Sequence, residues 1–344
     1  GLSQSGLLAV GATGTGTVTP GFTWTAAGGR VDFGLEPGVP AHTPAADVSS
    51  DGNTMVGWMR GVGIPQDRAY RRVGNGPLQN LGVLLNETWS QAYGVSGDGG
   101  TVVGESTHSV PGGIGGQAFR WTESGGMQGL GYLHPNGYRS QAYGISRDGS
   151  TIVGTSQSGS SFGTVEAFTW TQAGGMLSLP VIPGAVFPSR YAHAANADGS
   201  VIAGMSNAPD GRVHAARWTG AGVQDLGLLP GTMDSAAYAI SDDGLVVGGV
   251  SLSGGSPERA FVWTPATGMT FLSDYLAGNG IMAPANYRLE YVYAISGDGL
   301  TFAGSARNLT TNFGEGFVAT IPSPSAAIIV LVAPPLVMGR RRRG

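Results

Sequence analysis

The sequence predicts an all-β protein, most specifically a β-propeller of seven four-stranded blades. Three observations lead to this fold: one segment recurs seven times at a mean spacing of about 49 residues, each copy is rich in β-branched and aromatic residues, and no helical periodicity precedes the C-terminal tail. Four strands in about 40–50 residues is the size of one propeller blade. Such a repeat cannot bury both faces alone, so neighbouring repeats must stack.

The most regular part of the repeat is a turn of the form S-x-D-G. The copy AYGVSGDGGTVVG at residues 92–104 returns as AYGISRDGSTIVG at residues 142–154. The turn residue is always followed by Gly, and a second Gly stands six residues after it. An Asp-Gly pair favours a tight hairpin turn because its backbone needs positive φ, so the motif predicts the link between strands one and two. The turn residues are Ser5, Asp51, Asp98, Asp148, Asp198, Asp243 and Asp298.

A second block of the form F-x-W-T predicts strand three, and a following T-x-x-G-G predicts a tight turn into strand four. Its tryptophans recur at one strand position, which indicates packing in the blade core rather than ligand binding. They are Trp24, Trp121, Trp170, Trp218 and Trp263.

The two ends of the repeat array are incomplete. The first repeat lacks strand one and the last lacks strand four, so the ends are expected to complement each other when the ring closes. A β-solenoid is the competing architecture, but its repeats are usually shorter and it would need caps that the sequence does not show.

Composition excludes several function classes. The chain has no Cys and no Lys, and all 18 basic residues are Arg. With the four C-terminal arginines set aside, 14 Arg and 22 acidic residues leave the body at −8, which gives it no reason to bind nucleic acid. No His pair has metal-ligand spacing, and each D-G turn offers one carboxylate, too few for a calcium loop. The sequence therefore predicts no cofactor, no metal site and no catalytic residue.

The repeat resembles the HAF repeat of bacterial extracellular proteins over residues 1–320. The resemblance rests on A-x-x-I-S-x-D-G-x-x-V-G, on the triplet before W-T, and on G-M-x-x-L-G. The triplet occurs as QAF at residues 117–119, EAF at 166–168, HAA at 214–216 and RAF at 259–261. The family implies an exported protein and no catalytic residue.

The tail, residues 321–344, differs in composition from the repeats. It carries a short proline motif, an apolar stretch at residues 326–338 expected to form a short helix, and four arginines. It is similar to the PEP-CTERM sorting signal, which implies transient insertion in the inner membrane and processing by an exosortase-like enzyme. The matching positions, with Ser323 where the family has Glu, are Pro322, Ser323, Pro324, Arg340, Arg341, Arg342 and Arg343.

A binding face is predicted from the connections between strands. The one-to-two and three-to-four turns are both tight and share one face, so the long connections share the other, and variable loops on a rigid scaffold often carry function. The aromatic and histidine side chains of these loops are the candidate binding residues. They are Trp89, Tyr132, His134, Tyr138, Tyr275 and Tyr287.

These observations favour an exported, non-enzymatic repeat protein of the bacterial cell surface or extracellular matrix. It would display one loop-rich face to an exopolysaccharide or a surface protein. Two alternatives remain on the same scaffold: a glycan-binding propeller that uses the loop aromatics, and a polysaccharide-active enzyme whose acids converge only in the fold.

Overall fold

The computed structural model describes residues 1–13, 18–33, 42–61, 63–110, 113–157, 165–185, 190–254, 256–322 and 328–331. These residues form seven antiparallel sheets, each built from consecutive strands and arranged as the blades of a propeller. The predicted fold class is therefore confirmed. Within the described part of the chain, no helix combines the length and hydropathy needed to cross a lipid bilayer.

The first four blades have the following bounds. Blade 1 has three strands, β1 (Ala9–Ala12), β2 (Gly21–Thr25) and β3 (Gly29–Phe33). Blade 2 comprises β4 (Ala45–Val48), β5 (Thr54–Gly61), β6 (Ile64–Val73) and β7 (Gln79–Asn80). Blade 3 comprises β8 (Trp89–Val95), β9 (Thr101–Val110), β10 (Gly113–Thr122) and β11 (Gly126–Gly129). Blade 4 comprises β12 (Ser140–Ile145), β13 (Thr151–Gln157), β14 (Val165–Thr171) and β15 (Gly175–Ser178).

The remaining blades follow the same order. Blade 5 comprises β16 (Arg190–Ala195), β17 (Ile202–Asn207), β18 (Val213–Thr219) and β19 (Gly222–Gly227). Blade 6 comprises β20 (Asp234–Ile240), β21 (Val247–Ser253), β22 (Ser256–Thr264) and β23 (Gly268–Phe271), followed by helix α1 (Leu272–Gly278). Blade 7 comprises β24 (Tyr287–Ile295), β25 (Thr301–Asn308), β26 (Gly314–Thr320) and β27 (Ile328–Leu331).

Helix α1 corrects the expectation that helix is confined to the tail. It lies in the connection between blades 6 and 7, and it buries Leu272 and Leu276, which are one helical turn apart. Seven residues are fewer than the window of about 11–18 residues over which helical periodicity can be recognised. The packing of this short insertion, rather than its sequence pattern, stabilises it.

The C-terminal end of the array corrects a second expectation. The prediction that the last blade lacks strand four is wrong, because β27 pairs with β26 in antiparallel register. An unpaired β26 would expose a row of backbone donors and acceptors, and the segment IIVL has strong β propensity. The expected C-terminal helix is therefore wrong for these four residues, and the rest of that segment lies outside the described residues.

The ring closes without a shared strand. Blade 1 lacks a full inner strand, as predicted, and only a single bridge from Leu2 to Ala9 stands in its place. Blades 1 and 7 instead meet side by side, where Trp24 packs in one cluster with Leu2, Ala9 and Val318. The two array ends thus meet by hydrophobic contact, and no strand is shared between blades 1 and 7 in the described part of the chain.

Each S-x-D-G turn is held by its own side chains. In blade 3, Ser96 Oγ donates to Asp98 Oδ1 at 2.5 Å, and the same carboxylate accepts the amide of Gly100 at 2.9 Å. The amide of Thr101 donates to Ser96 Oγ at 2.9 Å. The Gly after the turn residue has positive φ in all seven copies, between 71° and 77°. The predicted hairpin is confirmed, and the aspartates serve the turn.

These turns also form a closed ring of hydrogen bonds around the propeller axis. One backbone amide of each turn donates to a carbonyl of the next turn, and the last donates back to the first. The seven bonds join Gln4 to Ser50, Ser50 to Gly97, Gly97 to Arg147, Asp148 to Ala197, Ala197 to Asp242, Asp242 to Gly297, and Gly297 to Gln4, at 2.7–3.2 Å. The repeat motif therefore closes the ring as well as each hairpin.

Candidate ligand-binding channel

The innermost strand of every blade from 2 to 7 carries a β-bulge at the same position. In blade 4 the register with β13 shifts between Ala142 and Gly144, so that Tyr143 is unpaired. A bulge redirects the side chain of the extra residue, and here that residue lines the channel along the propeller axis. The equivalent residues are Ala46, Tyr93, Tyr143, His193, Tyr238 and Tyr293.

The second glycine of the repeat, six residues after the turn residue, allows the bulged inner strand to lie close to its neighbour. Gly154 on β13 lies against the backbone carbonyl of Gln141, and a Cβ atom at residue 154 would overlap that oxygen. The same close approach to the inner strand recurs in six blades. A side chain there would push the inner strand outward, so the glycine is required for the channel residues to be in place. The six positions are Gly57, Gly104, Gly154, Gly204, Gly249 and Gly304.

Five of the bulged side chains form a continuous aromatic wall, here called the axial arc: Tyr93, Tyr143, His193, Tyr238 and Tyr293. Ring centroids are 5.9 Å apart for the first pair, then 5.3, 4.9 and 6.1 Å along the arc. These separations lie in the range of favourable aromatic pairs, about 4.5–7 Å. The arc spans blades 3 to 7.

A second layer of aromatic rings extends the axial arc toward the long connections. Tyr191 stacks on His193 at 6.1 Å with an interplanar angle of 9°. Tyr291 stacks on Tyr293 at 5.3 Å with an angle of 11°. Both pairs present flat ring faces, which suits the binding of a planar or weakly polar ligand surface.

The axial arc is open at blades 1 and 2. Blade 2 carries Ala46 where the next five blades carry a ring, so one side of the channel has a small residue. At one end of the arc Trp58 meets Tyr93 edge-on at 6.2 Å. At the other end Tyr293 is 54% exposed, which leaves its ring available to a ligand.

Polar side chains line the wide end of the channel, defined as the end nearest the long connections. The Tyr93 hydroxyl lies 2.7 Å from Oε1 of Gln91 and 2.6 Å from Oε1 of Glu105. Gln91 donates to Asp67 at 2.6 Å, and Arg139 donates to the second oxygen of Glu105 at 3.2 Å. This network crosses blades 2, 3 and 4 and alternates donors with acceptors.

A similar cluster lies in blade 7, which carries the other end of the axial arc. Glu290 is 3% exposed and accepts from Arg288 at 2.7 Å and from Arg307 at 3.1 Å. Fixed charged groups thus lie beside both ends of the axial arc, next to Tyr93 and next to Tyr293.

The rings of the axial arc are uncharged at neutral pH. Burial raises the pKa of Tyr93 far above its ordinary value, with the Glu105 carboxylate adding to the effect, and burial raises the pKa of Tyr143 to about 12. Burial lowers the pKa of His193 to about 4. Its Nε2 atom is shielded from solvent and has no hydrogen-bond partner among the described residues. The channel therefore offers neutral rings, which favour stacking over ion pairing.

The narrow end, where the S-x-D-G turns meet, is closed by side chains. Arg147 Nε donates to Asp242 Oδ1 at 2.6 Å, and its Nη1 donates to Ser50 Oγ at 3.0 Å. Gln4 Nε2 donates to the other oxygen of Asp242 at 2.9 Å. Between this plug and the axial arc lies a cavity of about 190 Å³. Among the described residues these side chains span the narrow end, which favours ligand entry from the wide end.

The predicted binding residues do not form one site. Four of them lie around blades 3 and 4. Trp89 begins β8, the Tyr132 ring is partly buried, and Nε2 of His134 lies 2.9 Å from Glu166 Oε1. The Tyr138 carbonyl accepts the amide of Gly116 at 3.0 Å. None of these four lines the axial cavity.

The other two predicted residues lie between blades 6 and 7 and contact the core. Tyr275, on α1, meets the buried ring of Phe302 edge-on at 6.1 Å. The Tyr287 hydroxyl donates to Glu315 at 2.8 Å. Of the predicted sorting positions, Pro322 is described, whereas Ser323, Pro324 and the four arginines 340–343 lie outside the described residues.

Sequence reasoning missed the axial arc. Its signal was present, because Tyr or His stands five residues before the turn Asp in five repeats. Within a strand that residue looks like any alternating position, and only the bulge directs it to the axis. Among the described residues, His, Asp and Glu side chains form no group of three that could hold a metal ion.

The fold and channel define a seven-bladed propeller with one closed and one open axial end. No protein-family model matches the chain, and no curated protein matches it. The β-propeller domain of the Trilobed protease from Pyrococcus furiosus is similar, at 10% identity, with 93% of this chain and 96% of that one covered and a TM-score of 0.56.

Two further solved structures are similar. Prolyl oligopeptidase B from Galerina marginata is 11% identical, over 94% of this chain and 51% of that one, with a TM-score of 0.55. TolB from Acinetobacter baumannii is 14% identical, over 92% of this chain and 78% of that one, with a TM-score of 0.49. At such low identity the likeness to the two proteases shows the propeller fold alone.

Proposed function

We propose that the protein is an exported, non-catalytic binding protein of the bacterial cell surface or matrix, and that it holds a segment of a carbohydrate chain at the wide end of the axial channel. The observation that carries this proposal is the axial arc. Neutral aromatic faces stack on the apolar faces of sugar rings, while the flanking amide, carboxylate and guanidinium groups match sugar hydroxyls. The narrow end is plugged, so the polymer would lie across the open end.

A non-catalytic role is supported by the bonding of two buried acids, Glu105 and Glu290. Glu105 is bound by Arg139 and Tyr93, and Glu290 is bound by two arginines. Glycoside hydrolysis needs a pair of carboxyl groups that are free to exchange protons and face one bond. Carboxylates held by arginine are suited to orienting a ligand instead.

The carbohydrate proposal is tested on an array of immobilised bacterial polysaccharides and oligosaccharides. The full chain should bind at least one of them, and Tyr143→Ala or Tyr238→Ala should weaken binding about tenfold, because each removes one stacking face. Tyr132→Ala, in a loop outside the channel, is the matched control. Unchanged binding by both arc variants, with their unfolding midpoints intact, would contradict the proposed site.

We further propose that the tail acts as a sorting signal for an exosortase-like enzyme, with transient insertion in the inner membrane. The support is the order of its parts: a proline motif, an apolar stretch and four arginines. Mass spectrometry of the secreted protein should find a C-terminus near Pro322 and no arginine run. A secreted form that keeps all four arginines would refute this, and Ser323→Glu should be processed at least as well as the native tail.

A further inference from the structure

A second cavity, of about 240 Å³, lies between blades 6 and 7, on the side of the long connections. Its walls come from strand β22, the end of β23, and the start of β24, and the insertion that contains α1 covers it. This insertion is the largest departure from the repeat. A cavity below the roughly 300–1,000 Å³ of drug-sized pockets fits a small organic molecule.

The charged groups that line this cavity have one sign. Arg259 and Arg288 both contribute guanidinium groups, and no carboxylate is among its lining residues in the described part of the chain. The Arg259 guanidinium stands 5.6 Å from the centre of the Phe271 ring, and no described carboxylate lies within ion-pair distance of it. Its charge is therefore available to a ligand.

Arg288 supplies a second donor. One of its nitrogens, Nη2, donates to Glu290 at 2.7 Å, but its Nε atom is buried and has no hydrogen-bond partner among the described residues. Buried polar groups in proteins are almost always paired, so an unpaired guanidinium N–H beside a cavity points to an acceptor that enters the cavity.

Ser273 and Tyr287 add hydroxyl groups to the lining, and the other lining residues are apolar. Phe271, Ala283, Leu289 and Leu309 line the cavity. At its rim Leu309 is 52% exposed, and Met282, next to Ala283, is 72% exposed. Exposed apolar residues grouped around a cavity indicate a binding surface rather than ordinary scatter.

We propose that this cavity binds a small organic carboxylate with an apolar body, the carboxylate between Arg259 and Arg288 and the apolar body against Phe271 and Leu309. Two cationic donors select a carboxylate over a neutral group of the same shape. This site is separate from the axial channel and does not depend on the proposed carbohydrate binding.

The test is calorimetric titration of the full chain with benzoate, and with benzamide as its neutral counterpart. Benzoate should bind with one site per chain, and benzamide should bind about tenfold more weakly or not at all. Arg259→Gln should weaken benzoate binding about tenfold, while Arg212→Gln, an exposed arginine on blade 5, should not change it.

Arg288→Gln should have an effect similar to that of Arg259→Gln. Because Arg288 also binds Glu290, the Arg288→Gln result counts only if the thermal unfolding midpoint of this variant matches that of the parent. Arg259 binds no carboxylate among the described residues, so Arg259→Gln decides the test. Absence of saturable benzoate binding, equal binding of benzamide, or full affinity in Arg259→Gln would overturn the proposal. Results with Arg259→Gln do not bear on the carbohydrate proposal, because in the described part of the chain Arg259 has no contact with the axial arc or with Glu290.

Discussion

The two ends of the axial channel are built from the same strands but differ in how strictly they repeat. At the narrow end every blade presents the same turn, the same positive-φ glycine and one bond of the hydrogen-bonded ring. At the wide end the blades differ. One equivalent position carries Gln in blades 3 and 4, as Gln91 and Gln141, and Tyr in blades 5 and 7, as Tyr191 and Tyr291. The residues common to all repeats therefore build the scaffold, and the residues that vary around them are the ones available for binding.

The largest effect should come from the glycine that makes the bulge possible. Gly154→Ala would place a Cβ on the carbonyl of Gln141, backbone that cannot move without disturbing the inner strand. We expect a loss of about 3 kcal/mol in the free energy of unfolding, measured by urea denaturation. Gly220→Ala is the matched control, because open space surrounds Gly220. Equal midpoints for the two variants would show that the bulge does not need glycine.

A smaller loss should follow a change at the narrow end itself. Gly149 has φ of +75° and a Cβ there would meet only ordinary contacts, so the cost of Gly149→Val is backbone strain. We expect about 1–3 kcal/mol, because β-branched residues avoid this region. Gly149→Asn, which tolerates positive φ, should recover part of the loss. Valine as stable as asparagine at this position would mean that the turn is not under this constraint.

At the wide end, His193 should make stability depend on pH. Its pKa is about 4 in the folded protein against an ordinary value of 6.5, so below pH 6.5 the unfolded chain takes up a proton that the native protein does not. Stability should fall by roughly 2–3 kcal/mol between those two pH values. His193→Tyr introduces the residue of the neighbouring blades. In this variant the free energy of unfolding, measured from denaturation curves, should no longer show that fall between pH 6.5 and pH 4. An unchanged pH dependence would show that other groups cause it.

The smallest effect should come from one turn carboxylate. Hydrogen bonds from Ser96 and the Gly100 amide lower the pKa of Asp98 below its ordinary 3.8. These hydrogen bonds therefore stabilise the fold above about pH 3.8, and the stabilisation is lost as the pH falls through the lowered pKa of Asp98. Asp98→Ala should cost about 1 kcal/mol at neutral pH.

The matched variant for this prediction is Asp98→Asn, which keeps an acceptor but cannot titrate. It should lose less stability than the parent on acidification from about pH 5 to about pH 3, measured as the shift in the urea midpoint over that range. If the parent and Asp98→Asn respond to acid identically, Asp98 does not contribute to the acid sensitivity of the narrow end.

Much of the fold could be predicted from the sequence alone because each repeat has glycines at the same positions, beginning with the one in its turn. Local signals such as Asp148-Gly149 specify a turn within a few residues. Six Asp-Gly copies and one Ser-Gly copy, at the spacing of propeller blades, favour a propeller over other all-β folds. The tryptophans of strand three were also assigned correctly: Trp24, Trp121, Trp218 and Trp263 are buried, and Trp170 packs against a core cluster.

The tertiary structure decided the features that depend on contacts between repeats. A bulge at Tyr143 arises from the pairing of β12 with β13, so the sequence could not say that this residue faces the axis while Tyr132 in a nearby loop does not. Likewise β27 forms because β26 has a free edge, and α1 forms because Leu272 and Leu276 find a core to enter. The sequence by itself determined the repeat, the turns and the blade count, because these are set by short-range backbone preferences. Which side chains meet in the channel was decided only by strand register and ring closure, which join residues about 50 positions apart in the chain.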